Sequence, residues 1–71
     1  MVDSDKIKNR MKELGVSQEY IARKLKIATP TVSQKINNVR PMWLSEAEVM
    51  SEILGVHGED FMLYFFKNKL A

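Results

Sequence analysis

The sequence predicts an all-α domain of five short helices, and three observations predict it. Apolar residues recur at helical spacing in one segment after another. Each segment is opened by a capping residue or a proline, and the first, third and fourth are closed by Gly or Asn. No stretch sustains the period-2 alternation with hairpin punctuation that paired strands need. Connections of about two to six residues suit helices packed directly on one another.

Taken in order, Asp3 or Ser4 can cap a first helix in which Ile7, Met11 and Leu14 share one face at i, i+4 and i+7, and Gly15 stops it. Ser17 is the N-cap candidate of a second helix with Ile21, Ala22 and Leu25 as its apolar stripe. A third helix starts near Ala28-Thr29-Pro30, because proline's missing N–H costs nothing in a first turn. Its Val32 and Ile36 face inward, and Asn37-Asn38 ends it, since Asn tolerates the left-handed conformation. Pro41 breaks the loop that follows, where Trp43 is expected to pack on the next helix. Ser45-Glu46-Ala47-Glu48 reads as a capping box opening a fourth helix. Val49, Met50, Ile53 and Leu54 form its stripe before Gly55. Glu59 and Asp60 favour a helix N-terminus by charge. The run Phe61–Phe66 that follows is apolar throughout, greasy on nearly all sides as a helix and on both faces as a strand.

Residues 1–71 form one domain on this reading, with a thin core, because a chain near this size buries only about 60% of its unfolded surface. A core that thin cannot hide all of 61–66. Part of the segment 59–70, with Phe61, Met62, Phe65 and Phe66 as the candidates, is therefore expected to form a homodimer interface. With no cysteine there is neither a disulfide nor a Cys-based zinc site, and the lone His57, expected at the surface or at a cap, cannot build a metal site with imidazole partners. No cofactor and no metal are expected. An enzyme would need a convergent acid, base or nucleophile set, and the chain offers one His, no Cys and no phosphate-cradling Gly-rich loop. No apolar run approaches the ~18 residues of a membrane span, and the polar opening MVDSDKIKNR lacks an export signal, so a cytoplasmic protein is expected.

The net charge of +2 conceals an asymmetry. Residues 1–43 carry nine Lys/Arg against four acids, a balance of +5; residues 44–71 carry two against five, a balance of −3. From Arg23 to Asn38 there is no acid at all. Within that stretch the outward positions of the third helix are Thr29, Thr31, Ser33, Gln34 and Lys35. A helix wanting only solubility would use Glu and Lys there. Hydroxyls, an amide and an amine read base edges and phosphates without repelling them.

SQEYIARKLKI, TPTVSQKINNVRP and SEAEVMSEILGV stand in this order and at this spacing. Together they resemble the lambda-repressor-like DNA-binding family, with residues 18–37 in place of its helix-turn-helix (helices 2 and 3). The resemblance covers residues 4 to about 66, and the stretch Ser33–Asn37 is most similar to small phage and prophage Cro-like regulators. It implies the family's compact five-helix domain and a transcriptional repressor in a bacterial or phage-infected cell. Such a repressor acts as a dimer on a palindromic double-stranded DNA operator. It implies base reading by Thr29, Pro30, Thr31, Gln34 and Lys35, and phosphate contacts from Gln18, Asn37, Asn38 and Arg40. The alternative on the same fold is an antirepressor or antitoxin-type module that binds another protein, for instance a partner repressor. Three departures stand out. Lys26 replaces the turn Gly, so either Lys26 is left-handed, at about 1 kcal/mol, or the turn differs. Pro30 disfavours helical dihedrals at Thr29, which would make Thr29 the N-cap and spend its hydroxyl on the backbone. Asn38 replaces the common Gly after the third helix.

Overall fold

The computed structural model describes residues 1–67, and among these every regular element is helical: α1 (Ser4–Leu14), α2 (Gln18–Leu25), α3 (Thr29–Ile36), α4 (Leu44–Leu54) and α5 (Glu59–Phe65). The segment left open between helix and strand is thus α5, and its end, residues 68–70, with Lys69, lies outside the described residues. α1 packs on α3, α4 and α5, and α2 on α3 and α4. The buried residues Ile7, Met11, Ile21, Ala22, Val32, Ile36, Ala47, Met50, Leu54, Val56 and Phe65, with Val2, form one cluster.

The starts of the first two helices follow the expected caps. Asp3 accepts the Lys6 N–H at 3.1 Å and Ser17 accepts the Tyr20 N–H at 3.1 Å. α3 differs from expectation: Ala28 is its N-cap and Thr29 is already helical, with Pro30 in the first turn. Among the described residues no hydrogen bond engages the Thr29 hydroxyl, so it is not spent on capping. α4 corrects a second expectation. It begins one residue before Ser45, with Trp43 as N-cap, and Glu46 rather than Glu48 reaches back to accept the cap N–H at 2.9 Å. Ser45-x-x-Glu48 has the capping-box spacing, but Glu46 is drawn inward by a lysine on α3, and that fixes the helix start.

The first four helices stop in the same way. Gly15, Lys26, Asn38 and Gly55 sit at φ near +60°, the left-handed region. The N–H of the next residue returns to a carbonyl five positions back: Val16 to Met11, Ile27 to Ala22, Val39 to Gln34, Val56 to Ser51. Lys26 therefore takes the left-handed option and keeps the turn short. Asn38 is held more firmly. Its Oδ1 accepts the Val2 N–H at 2.9 Å, and its Nδ2 donates to the Val2 carbonyl at 3.0 Å and to Ser4 Oγ at 3.2 Å. Ser4 Oγ in turn donates to the Ile36 carbonyl. The residues before α1 thus strap the end of α3 to the end of α5, where Asp3 N–H donates to Tyr64 O and Lys67 N–H to Met1 O. Arg10 performs a similar service for α4, which has no basic residue in its own last turn: its Nε donates to the Leu54 carbonyl at 2.8 Å.

Two apolar residues expected inside lie outside. Leu14, at the last position of α1, is 44% exposed because the chain turns away at Gly15, and Val49 is at the edge of exposure. Trp43 does not pack into the body either; it is 65% exposed.

The double hydrogen bond to Val2 outweighs the strain of a non-glycine left-handed residue. Asn38→Gly removes the strain and the strap together and is expected to lower stability by about 1–2 kcal/mol in urea unfolding. A neutral or stabilising Asn38→Gly would show that the strap contributes nothing.

Candidate nucleic-acid interface

α3 divides into two faces. Val32, Lys35 and Ile36 are buried; Pro30, Thr31, Gln34 and Asn37 recur at i, i+1, i+4 and i+7 on the other side. Pro30 and Asn37 are exposed, while Thr29, Thr31, Ser33 and Gln34 are half-buried. Among the described residues, no hydrogen bond within the chain engages the side chains of Thr29, Thr31 or Gln34, nor that of Gln18 at the start of α2. Asn37 donates through Nδ2 to the Ser33 carbonyl at 2.9 Å, which leaves its Oδ1 free. Among the described residues no buried side-chain nitrogen or oxygen lacks a partner, so these unspent groups are open to solvent and free to bond water or a ligand.

Basic residues flank this face. Arg23, Lys24 and Lys26 are exposed on α2 and the turn after it, and Lys24 Nζ lies 5.4 Å from the centre of the Tyr20 ring. Arg40 is exposed just after α3, and its backbone N–H, with that of Val39, donates to the Gln34 carbonyl. The guanidinium is therefore carried on a loop tied to the residue at the centre of the face. Beside the N-terminus of α2, an open groove of about 540 Å³ is lined by Ser17, Tyr20 and Arg23 on one side and Glu52 and Ile53 on the other. Glu52 puts one negative charge opposite that helix start.

Five predicted site residues are placed differently from the expectation. Lys35 is not on the outward face. It is 7% exposed, and its Nζ donates to Glu46 Oε1 at 2.7 Å and to the Pro41 carbonyl at 3.4 Å, under the Trp43 ring at 4.8 Å. A lysine at i+3 from Val32 falls on the buried side, and there a carboxylate, a carbonyl and an aromatic face satisfy its ammonium. Asn38 has its side chain committed to Val2 and Ser4, which withdraws it from external contacts. Phe65 is in the core at 3% exposure, and Phe61 and Phe66 lean on the same cluster, with ring centres 5.3 and 5.7 Å apart in the pairs Phe61–Phe65 and Phe61–Phe66. Of the proposed dimer residues only Met62 is exposed, together with its neighbour Leu63. α5 turns its aromatics inward because α1 closes over it.

Sequence reasoning missed Glu46. The Lys35–Glu46 pair spans eleven positions and joins two helices, so no local pattern marks it. Trp43 is the one available signal: an aromatic two residues after a proline and three before a glutamate is placed to cover such a pair. No family model, no curated protein and no solved structure matches this chain. Among the described residues, no helix is long and apolar enough to cross a membrane, and no group of His, Cys, Asp and Glu is placed to hold a metal ion.

Breaking the buried pair tests this placement. Lys35→Met leaves Glu46 buried without its cation and is expected to cost about 3 kcal/mol in urea unfolding. Lys35→Met/Glu46→Leu is expected to recover most of that loss. An unchanged midpoint in the single variant would put Lys35 back on the surface.

Proposed function

We propose that this chain is a sequence-specific double-stranded DNA-binding protein, a small repressor in which α2 and α3 act as a helix-turn-helix of the lambda-repressor-like kind. The observation that carries the reading is the outward row of α3: an amide and two hydroxyls with unspent hydrogen-bonding groups, between basic residues and with no acid from Arg23 to Asn38. In the major groove, Gln34 pairs its amide with an adenine edge, and Thr29, Pro30 and Thr31 contact neighbouring bases. Gln18, Asn37 and Arg40 hold phosphates on either side. Lys35 and Asn38 serve this interface from behind, by fixing the loop and the helix end that carry Arg40 and Asn37. The role is binding, not catalysis, and repression follows from occupying the operator.

Size argues for two copies on one site. Eight residues make α3 about 12 Å long, enough to face three or four base pairs, too few to specify a site. The body offers a single α3, so one copy enters one major groove, and the next on the same side of a duplex lies about 34 Å away. A palindromic operator read by a dimer meets both limits.

Selection from a random duplex pool, followed by titration at two salt concentrations, tests the reading. Enrichment of one palindrome with a steep salt dependence is expected. Gln34→Ala should cost about 1–3 kcal/mol at one base position, whereas Arg40→Ala should weaken all duplexes alike and lower the salt slope by about 1. Sequence-blind binding by the unaltered chain would sink the proposal and favour a protein-binding module.

A further inference from the structure

A second open groove, of about 360 Å³, lies between α4 and α5, lined by Glu48, Ser51 and Glu52 of α4, Val56 and His57 of the turn, and Phe61 of α5. Its floor is apolar: Val56 is buried, and the half-buried Phe61 ring leans on Phe65 and Phe66, with centres 5.3 and 5.7 Å away. Its walls accept hydrogen bonds and offer almost none. Ser51 Oγ already donates to the Glu48 carbonyl at 2.7 Å, which leaves the His57 ring as the one side-chain donor on the lining. Glu48 and Glu52 are exposed carboxylates, and neither pairs with a cation among the described residues. The chain around them supplies none. From Pro41 to Phe66 there is no Lys or Arg, while Glu59 and Asp60 at the start of α5 are exposed as well. Arg10, whose guanidinium lies 3.5 Å from where a Cβ on Gly55 would stand, is spent on the Leu54 carbonyl and on Glu13. Arg23, across the neighbouring groove that Glu52 also lines, makes no ion pair with it.

We propose that this groove docks a cationic segment of another protein, one that carries a large apolar side chain between Lys or Arg residues. The apolar side chain fills the space over Val56 and Phe61, and the flanking cations meet Glu48 and Glu52. The volume of about 360 Å³ is near the lower end of small-molecule clefts, which run roughly 300–1,000 Å³. Open to solvent, such a groove receives one or two side chains of a chain passing over it and does not enclose a free ligand. Nucleic acid and anionic lipid would both meet its carboxylates with like charge. Exposed ion pairs contribute little singly, so the apolar side chain carries much of the binding and the charges select which segment brings it. None of the lining residues belongs to α2 or α3. The groove is thus separate from the outward row of α3, and its role does not rest on DNA reading.

Amide NMR titration of the full chain with a capped peptide, a leucine between two pairs of lysines, tests the groove without DNA. Saturable shifts gathered on Glu48, Ser51, Glu52, Val56, His57 and Phe61 are expected, with a dissociation constant below about 1 mM. Exchanging the peptide's leucine for serine should weaken binding about tenfold, and a peptide with glutamates in place of the lysines should not bind. Glu48→Gln/Glu52→Gln should weaken it about tenfold. Glu59→Gln/Asp60→Asn removes the same charge outside the groove and should change it less than about twofold. The shift map is read on the unaltered chain, so the test holds even where circular dichroism shows a variant misfolded. Absence of shifts up to about 5 mM peptide overturns the proposal, as do shifts that gather on the outward row of α3. A serine peptide that binds as well as the leucine peptide, or equal losses from the two neutralised pairs, would reduce the effect to loose attraction of cations and equally overturns it. Failure of the duplex selection would remove the repressor reading and leave each of these outcomes unchanged.

Discussion

Four abrupt helix stops carry the architecture of this chain. A domain with about a dozen buried residues cannot allow helices to fray outward before the chain turns back, so each of the first four is followed within two residues by a left-handed one. The hydrogen bond made by the following residue then returns the chain toward the body. At three of the four stops that residue, Val16, Ile27 or Val56, packs on or in the core. At the fourth it is Val39, which stays in solvent. The reason is local: the returning residue normally packs on the side chain whose carbonyl it bonds, and here that side chain is Gln34, a polar residue on the outward row. The stop that breaks the pattern is the one at the end of α3.

That exception explains what surrounds it. Since Val39 cannot fold back, the loop to α4 needs another anchor, and the Lys35–Glu46 pair supplies one from inside. Lys35 reaches the Pro41 carbonyl, Glu46 takes the Trp43 N–H, and the indole covers the ammonium. A buried pair of this kind is weak evidence for stability, because desolvation offsets much of the attraction. Its contribution is geometric. It fixes where α4 begins relative to α3, and with it the direction in which Arg40 and Trp43 leave the body. On the other side of α3 the Asn38 strap does the same work with neutral hydrogen bonds.

How far this was legible in the sequence follows from the range of each interaction. Caps and stops are decided within four or five residues, so Asp3, Ser17, Gly15, Asn38 and Gly55 could be read directly, and with them the first four helices. Ala22, small and buried where α2 packs, was legible too. The start of α4 was not, because two glutamates compete for it and a lysine eleven positions away settles the matter. The position of Lys35 was ambiguous for a related reason: on an eight-residue helix, one place between Gln34 and Ile36 separates the outward face from the core. How much of 61–66 the core would hide was not legible, because the burial of Phe65 depends on α1 closing over α5, a contact between the two ends of the described chain.

Charge shows the same dependence on context. The sequence divides into a basic and an acidic half, but the fold cancels one charge of each sign by burying Lys35 against Glu46, and spends Arg10 on the end of α4. The cations left outward around α3 are Arg23, Lys24, Lys26 and Arg40, all in the stretch without acids or just after it. Removing Lys35 from the outward face of α3 costs that face a cation and leaves it with neutral hydrogen-bonding groups at its centre. If α3 reads DNA as proposed, this is the more discriminating division. A point charge attracts every phosphate alike, whereas an amide in a fixed position rejects the base that cannot match its donor and acceptor. On this reading the buried lysine serves recognition by holding the amide's neighbours still.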